Sequence, residues 1–178
     1  MPRLFLGFEL PAPVKQQLLD IHEPLRGARW QRADQIHLTM RFLGQASDAF
    51  IPMIIDSLTD LNTERITLRL HGAGCFGGPQ RPFALWAGVA PEQPLVQLRE
   101  QIDERLAPLA LPQDRHAGFK PHITLARIRG GDHSAMQVAR RHDGLTSEWF
   151  RFDTLALFSS TQASEGSVYS VLHEFPLS

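Results

Sequence analysis

Cysteine is nearly absent from this chain: Cys75 is the one thiol in 178 residues. An internal disulfide is therefore excluded, and so is a cysteine-built zinc site. A single unpaired thiol fits a reducing compartment. Lysine is almost as scarce, since Lys15 and Lys120 are the only two and the rest of the 18 basic residues are arginines. The planar fork of arginine matches phosphate oxygens, so this bias permits a small phosphate ligand, although a GC-rich genome produces the same bias. An excess of one charge is also missing. The formal net charge of -1 argues against a protein that coats long duplex nucleic acid. No stretch approaches the roughly eighteen consecutive apolar residues of a membrane-spanning helix, and the opening MPRLFLGFELPAPVKQQ is interrupted too soon for a signal peptide. Neither GxGxxG nor a Walker sequence occurs, which removes the common nucleotide-cofactor motifs. A soluble, cytoplasmic protein without membrane association is the expectation.

What is present suffices for a hydrophobic core, at 43% hydrophobic residues, within one domain over residues 1–178. Leu4, Leu6, Phe8 and Leu10 alternate along Arg3 to Leu10, the mark of a half-buried strand. Pro11 and Pro13 open a helix with Val14, Leu18, Ile21 and Leu25 on one stripe. A strand over 36–43 stops near Gly44, and Ser47 reads as the N-cap of a helix carrying Phe50, Ile54, Leu58 and Leu61. Alternation predicts a strand at Arg65 to His71. The Gly/Pro-rich GAGCFGGPQRP reads as a connection to the strand FALWAGV. Pro94 starts a helix with Leu95, Leu98, Ile102, Leu106 and Leu109 along its apolar face. After it come a strand at 121–128, a short helix or loop at 133–142, and closing strands at Phe150 to Phe158 and Ser167 to Phe175. Strands that follow one another directly pair antiparallel, so about seven or eight strands with three or four helices make an α+β protein.

Two stretches are written alike: QIHLTMRF at 35–42 and FKPHITLAR at 119–127. His37, Leu38, Thr39 and Met40 line up with His122, Ile123, Thr124 and Leu125. Side chains at i and i+2 share a face of a strand, so each motif presents an imidazole beside a hydroxyl, backed by aliphatic residues. Histidine exchanges a proton near neutral pH. Two facing imidazoles could divide the work at a phosphorus centre, one deprotonating the nucleophile and one protonating the leaving oxygen, each role contributing roughly 100- to 10,000-fold. Threonine adds a donor to an oxygen where charge develops. A lone H-x-T is ordinary strand sequence. Two copies are either a strand pattern repeated by chance or two halves of one site.

Other residues carry less signal. His22 reads as a surface residue of the first helix, and His71, at a strand end, is either an exposed structural residue or a border of the cleft. His116, His133, His142 and His173 have no spacing that suggests a ligand set. Arg41 shares parity with His37 and Thr39, so it faces either the cleft or a solvent ion pair. Tyr169 either packs or reaches the site. Cys75 has no nearby base to make it a nucleophile.

Taken together, RLFLGFELP, Trp30, HLTMRFLG, RPFALWAGV, FKPHITLAR and SVYSVLHEFPL resemble the two-histidine (2H) phosphoesterase superfamily over nearly the whole chain, and within it the RNA 2′,3′-cyclic phosphodiesterases also called 2′-5′ RNA ligases. The resemblance implies a bilobal α+β fold, two mostly antiparallel sheets with flanking helices around a central cleft, and a pseudo-two-fold axis. It implies hydrolysis of an RNA or nucleoside 2′,3′-cyclic phosphate to a 2′-phosphate, with a reversible 2′-5′ ligation, and neither metal nor cofactor. His122 would be the general base and His37 the general acid; Thr39 and Thr124 would bind the phosphate. Arg127 would contact phosphate or backbone, and Phe42 would stack on the terminal base. Strict alternation places Phe42 and Arg127 on the face opposite their histidines, so both roles require a bulge or a twist where the strand ends. RNA ends or short oligonucleotides with a 2′,3′-cyclic phosphate are the expected partners, for a monomer with no obligate protein partner.

Three rival readings stand beside this one. The first is a phosphodiesterase for another small cyclic or 2′-5′ linked nucleotide, its choice shaped by GAGCFGGPQRP and by the segment Gln113 to Phe119. The second is a non-catalytic RNA-end binding module, against which both His-Thr pairs tell. The third is a metalloenzyme using His37 and His122, which would need a third protein ligand that neither motif supplies.

Overall fold

A computed structural model describes residues 1–112 and 118–178. The alternating apolar residues of the first segment form β1 (Arg3–Glu9), followed by α1 (Ala12–Leu19), which Pro11 and Pro13 open without a side-chain cap. Next come β2 (Ala28–Trp30), β3 (His37–Gln45) and α2 (Phe50–Leu58), then the long hairpin of β4 (Ile66–Gly78) and β5 (Arg81–Ala90). After α3 (Gln93–Leu106) and one 3-10 turn (Ala107–Leu109) lie β6 (His122–Ile128), α4 (Ser134–Arg141), β7 (Phe150–Phe152), β8 (Thr154–Ala163) and β9 (Gly166–Pro176).

Every strand pair is antiparallel, and the strands run β7-β4-β5-β6-β3-β1-β8-β9, with β2 alongside β6. The expected two sheets are the two halves of this path. They meet where β3 joins β6, through the pair Leu38↔Ile123. Either side of that seam the order is mirrored: β6 with β5 and β4 on one hand, β3 with β1 and β8 on the other. The helices bury their apolar stripes against the sheet, as Leu95, Leu98, Ile102 and Leu106 of α3 do. Leu38, Met40, Leu85, Ile123 and Leu157 lie beneath in one continuous core.

Several boundaries differ from the sequence expectations. GAGCFGGPQRP is largely strand rather than connection, because β4 continues through Gly78 and pairs with β5 nearly to the turn. Its glycines make room: a Cβ on Gly74 would lie 2.5 Å from the Trp86 indole. Ser47 does not cap α2, which begins at Phe50 after Ala49 with no side-chain cap; Ser47 instead supplies a backbone carbonyl to the Phe50 N–H at 3.0 Å. The first helix stops at Leu19, so Ile21 and Leu25 pack from the turn that follows. Phe150 to Phe158 is two strands broken at Asp153.

Candidate active site

The seam places the two motifs. With Leu38 opposite Ile123 in an antiparallel pair, His37 comes abreast of Thr124 and Thr39 abreast of His122. Alternation sets all four on the face away from the two buried aliphatics. The burial sequence is identical along HLTMRFL and HITLARI: half-buried, buried, half-buried, buried, buried, exposed, buried.

Strict alternation fails between the fourth and fifth positions of that sequence, which are both buried. Across from β3, the register runs Gly7↔Thr39 and then Leu6↔Arg41, so Met40 is an extra residue. Across from β6, it runs Trp86↔Thr124 and then Leu85↔Ala126, so Leu125 is extra. A bulge of this kind reverses the facing of everything beyond it. Phe42 and Arg127 are thereby turned to the histidine side, and both line the cleft. Arg41 is turned the other way, buried at 8% exposure, in an ion pair with Asp103 at 3.2 Å. Its parity with His37 ends at the bulge. The freed carbonyls are both occupied: Arg99 Nη1 donates to Met40 O at 2.8 Å, and the Gln31 backbone N–H donates to Leu125 O at 2.8 Å.

A cavity of about 410 Å³ opens over this face. His37, Thr39, His122, Thr124, Phe42 and Arg127 all line it. Its other described walls include Gln31, Gln35, Phe76, Phe83, Arg99, Phe119, Lys120 and Tyr169. Among the described lining residues there is no carboxylate, while Arg99, Lys120 and Arg127 are cationic, so the cleft favours an anion.

Each imidazole is held the same way. His37 Nδ1 lies 2.7 Å from Gln35 O, and His122 Nδ1 lies 2.6 Å from Lys120 O. A carbonyl only accepts, so Nδ1 carries the proton in both rings, which assigns proton exchange to Nε2. At His37 that atom is 2.7 Å from Thr39 Oγ1. With Nδ1 protonated and the ring neutral, the Thr39 hydroxyl donates to it.

The surroundings of the two rings differ. His37 stacks on Phe5 at 4.7 Å and meets Tyr169 edge-on at 5.0 Å. Burial in this apolar seat lowers its pKa to about 4, the bond to Gln35 opposing and the charges of Arg127, Lys15 and His122 adding to the effect. His122 meets Phe76 edge-on at 4.8 Å and Trp86 at 6.4 Å. The two lysines of the chain flank the two histidines. Lys15 pairs with Glu9, the β1 partner of His37; Lys120 pairs with Glu92 and lies 5.4 Å over the Trp86 ring.

Sequence reasoning left Tyr169 undecided, and it lines the cleft. It missed Arg99, which borders the apolar stripe of α3 one turn after Leu95 and is largely buried, with no motif to single it out. It also missed Gln35. Gln35 is buried; its side chain accepts from the Arg32 N–H at 3.0 Å and donates to Ser167 O at 3.1 Å, tying the carbonyl that holds His37 to β9. His71 is exposed and outside the cleft, and His22 packs beside Trp30 at 5.0 Å. His116 and most of the Gln113 to Phe119 segment lie outside the described residues. Among the described residues, no three His, Cys, Asp or Glu side chains converge as a metal site, and no helix is long and apolar enough to cross a membrane.

Comparison with known proteins concerns the chain as a whole. Residues 13–163 match the profile of the 2′-5′ RNA ligase superfamily. An RNA 2′,3′-cyclic phosphodiesterase of Thermus thermophilus is 32% identical over 98% of this chain and 90% of its own length. One of Methanocaldococcus jannaschii is 25% identical over 97% and 99%. Among solved structures, TT0787 of Thermus thermophilus superposes with a TM-score of 0.83 at 28% identity, covering 98% of this chain and 97% of the other. Escherichia coli LigT complexed with 3′-AMP superposes with a TM-score of 0.80 at 25% identity, covering 100% and 99%.

Proposed function

Because the chain belongs to the 2′-5′ RNA ligase superfamily, we propose that it is an RNA 2′,3′-cyclic phosphodiesterase that opens the cyclic phosphate to a 2′-phosphate with its two histidines. The observation that carries this reading is the seam: two His-x-Thr strands, each bulged at the same place, brought abreast by Leu38↔Ile123. The names of the relatives support the substrate class.

In this reading the cyclic phosphate lies over the four side chains, its charge met by Arg127, with the terminal base on Phe42, which is 45% exposed. His122 Nε2 takes a proton from water as the oxygen–phosphorus bond forms. His37 Nε2 gives a proton to O3′ as the P–O3′ bond breaks. Attack in line with the leaving oxygen puts base and acid on opposite sides of phosphorus, as two facing strands allow. Neither step calls for a metal or a cofactor.

The seat of His37 adds a condition. In the empty cleft the ring is neutral, since its pKa is held to about 4, and a neutral imidazole cannot serve as an acid. The anionic substrate reverses this, because an opposite charge within about 4–6 Å favours the protonated ring. Once Nε2 carries its proton, the Thr39 hydroxyl no longer donates to it and turns to a non-bridging phosphate oxygen. The substrate thereby charges its own acid.

The test is product identity. A short RNA bearing a 2′,3′-cyclic phosphate, incubated with the protein and a strong chelator, is expected to yield a 2′-phosphate. A 3′-phosphate product would refute the assigned leaving oxygen. An untouched cyclic phosphate would move the search to other cyclic or 2′-5′ linked nucleotides.

A further inference from the structure

Phe83 takes no part in the reaction proposed above, yet the fold goes to some length to present it. Along the β4–β5 hairpin the register runs Phe76↔Ala84 and then Gly77↔Pro82, which leaves Phe83 as an extra residue without a cross-strand partner. Such a residue is re-aimed by the local twist. The opposing Gly77 has φ of +101°, and a Cβ there would lie 2.6 Å from Arg81 O and 3.0 Å from the Phe83 ring. Glycine is what lets the hairpin bulge in this way. The outcome is a large aromatic ring, 53% exposed, on the wall of the cleft.

The position of that ring relates it to one histidine. Two ring-to-ring steps lead outward from His122: 4.8 Å to Phe76, then 6.2 Å to Phe83 with the planes 28° apart. Phe83 therefore belongs to the lobe of His122, whereas Phe42 belongs to the lobe of His37. Beside Phe83 is Ala84, whose partner across the strands is Arg127. A cation and an open apolar face thus lie next to each other on the second wall, the combination that holds single-stranded nucleic acid.

We infer that Phe83 is a stacking platform for the base of a second nucleotide, the one whose 5′ oxygen takes the place of the attacking water. The inference rests on the roles proposed for the two histidines. His122 then takes the proton of the 5′-hydroxyl as the 5′-oxygen–phosphorus bond forms, and His37 protonates O3′ as the P–O3′ bond breaks. The product is a 2′-5′ linked pair of nucleosides, with a base on each wall and the phosphate between. No further reactant enters.

The test is binding, measured by titration calorimetry in a His37→Ala background. That background lacks the group that would deprotonate the 3′-hydroxyl, so a 2′-5′ ligand stays intact. Three ligands are compared: adenosine 2′-phosphate, the 2′-5′ linked diadenosine monophosphate, and a 3′-5′ linked diadenosine with a terminal 2′-phosphate. Adding Phe83→Ala is expected to weaken the 2′-5′ dinucleotide on the order of 5- to 100-fold, the range of one lost base stack, and to leave the other two within about twofold. Phe83→Trp should restore affinity, which separates stacking from a folding defect. Equal loss on all three ligands, no loss on any, or a loss confined to the 3′-5′ dinucleotide would each overturn the inference. Hydrolysis of a mononucleoside cyclic phosphate by the unmodified protein is followed separately. Its absence would remove the catalytic reading, while the three affinities would still decide whether Phe83 holds a second base.

Discussion

Met40 and Leu125 are structural counterparts: each stands three residues after its histidine, and each is the extra residue of a bulge whose carbonyl accepts a hydrogen bond at 2.8 Å. The donors differ. The backbone of Gln31, delivered by β2 along β6, serves Leu125, while the Arg99 side chain, reaching from α3, serves Met40. A side-chain donor can be removed by mutation. Arg99→Met is expected to cost roughly 1–3 kcal/mol of stability, the usual penalty for a buried acceptor losing its charged donor. It should also raise KM more than it lowers kcat, because Phe42 beyond the bulge loses its aim. Urea unfolding and steady-state kinetics together check this; unchanged stability and KM would mean that the bulge holds itself.

Replacing either histidine tests the pair. His37→Ala and His122→Ala should each slow turnover of a cyclic-phosphate substrate by roughly 100- to 10,000-fold. The double variant should be little worse than the singles, as for groups that act as a unit. Single-turnover rates measure this directly. Full additivity would indicate that the two rings act in separate events.

Thr39→Val and Thr124→Val keep the strand shape and remove one hydroxyl each. A fall of roughly 100-fold in kcat is expected where the lost donor meets developing charge. Thr39→Val should also change the titration of His37, since it removes the bond at Nε2. A rate loss seen only in KM would place the hydroxyls in ground-state binding.

Acidification acts on His37 in a definite direction. Its pKa is about 4 in the folded chain against an ordinary 6.5. Between those values the unfolded chain binds the proton and the folded chain does not, so stability rises with pH across that window. The contribution is complete above 6.5 and is lost as pH falls to about 4. Chemical denaturation at several pH values should show this slope, flattened in His37→Ala. In NMR titrations the His37 pKa should rise when a nucleoside 2′-phosphate is bound. A ring that titrates identically in both states would contradict charging by the substrate.

The seam predicts a mechanical sensitivity. Leu38 and Ile123 are fully buried and form the pair that joins the halves of the sheet. Leu38→Ala or Ile123→Ala is expected to cost about 2–5 kcal/mol and to reduce activity beyond the loss of folded protein, because the histidine strands lose their common register. Activity per folded molecule, from denaturation curves and active-site titration, distinguishes the two effects.

Much of this was legible in the chain. Alternation at Leu4, Leu6, Phe8 and Leu10 located β1 but read it as half-buried, whereas Leu4 to Phe8 are all buried, because β1 lies between β3 and β8. The stripe of Leu95, Leu98, Ile102 and Leu106 follows burial closely, because a helix or strand repeats its environment at a fixed period. The paired His-x-Thr motifs could be read for the same reason. What escaped is where the period breaks. β2 is three residues long and has no period to show. Gly74 of β4 reads as loop because its purpose, clearance for Trp86, lies on another strand. The bulges after Thr39 and Thr124 depend on cross-strand register, which no single segment contains. Sequence reasoning could say that Phe42 and Arg127 needed a bulge or a twist, but expected it where the strand ends, whereas the bulges fall at Met40 and Leu125, inside β3 and β6.

The order of strands also governs when the site can come into being. The half that holds His122 is built from β4, β5, β6 and β7, all between Ile66 and Phe152, with the three residues of β2 added along the edge of β6. The half that holds His37 sets β1 between β3 and β8, so Arg3 must find Ser160 across the whole of the other half. Closing a long loop is slow compared with pairing neighbours. During folding, the amide of Ile123 is therefore expected to gain protection from hydrogen exchange before the amide of Phe5, which pulse labelling can time. The lobe of His122 is expected to form first, and the lobe of His37 waits for the chain to return.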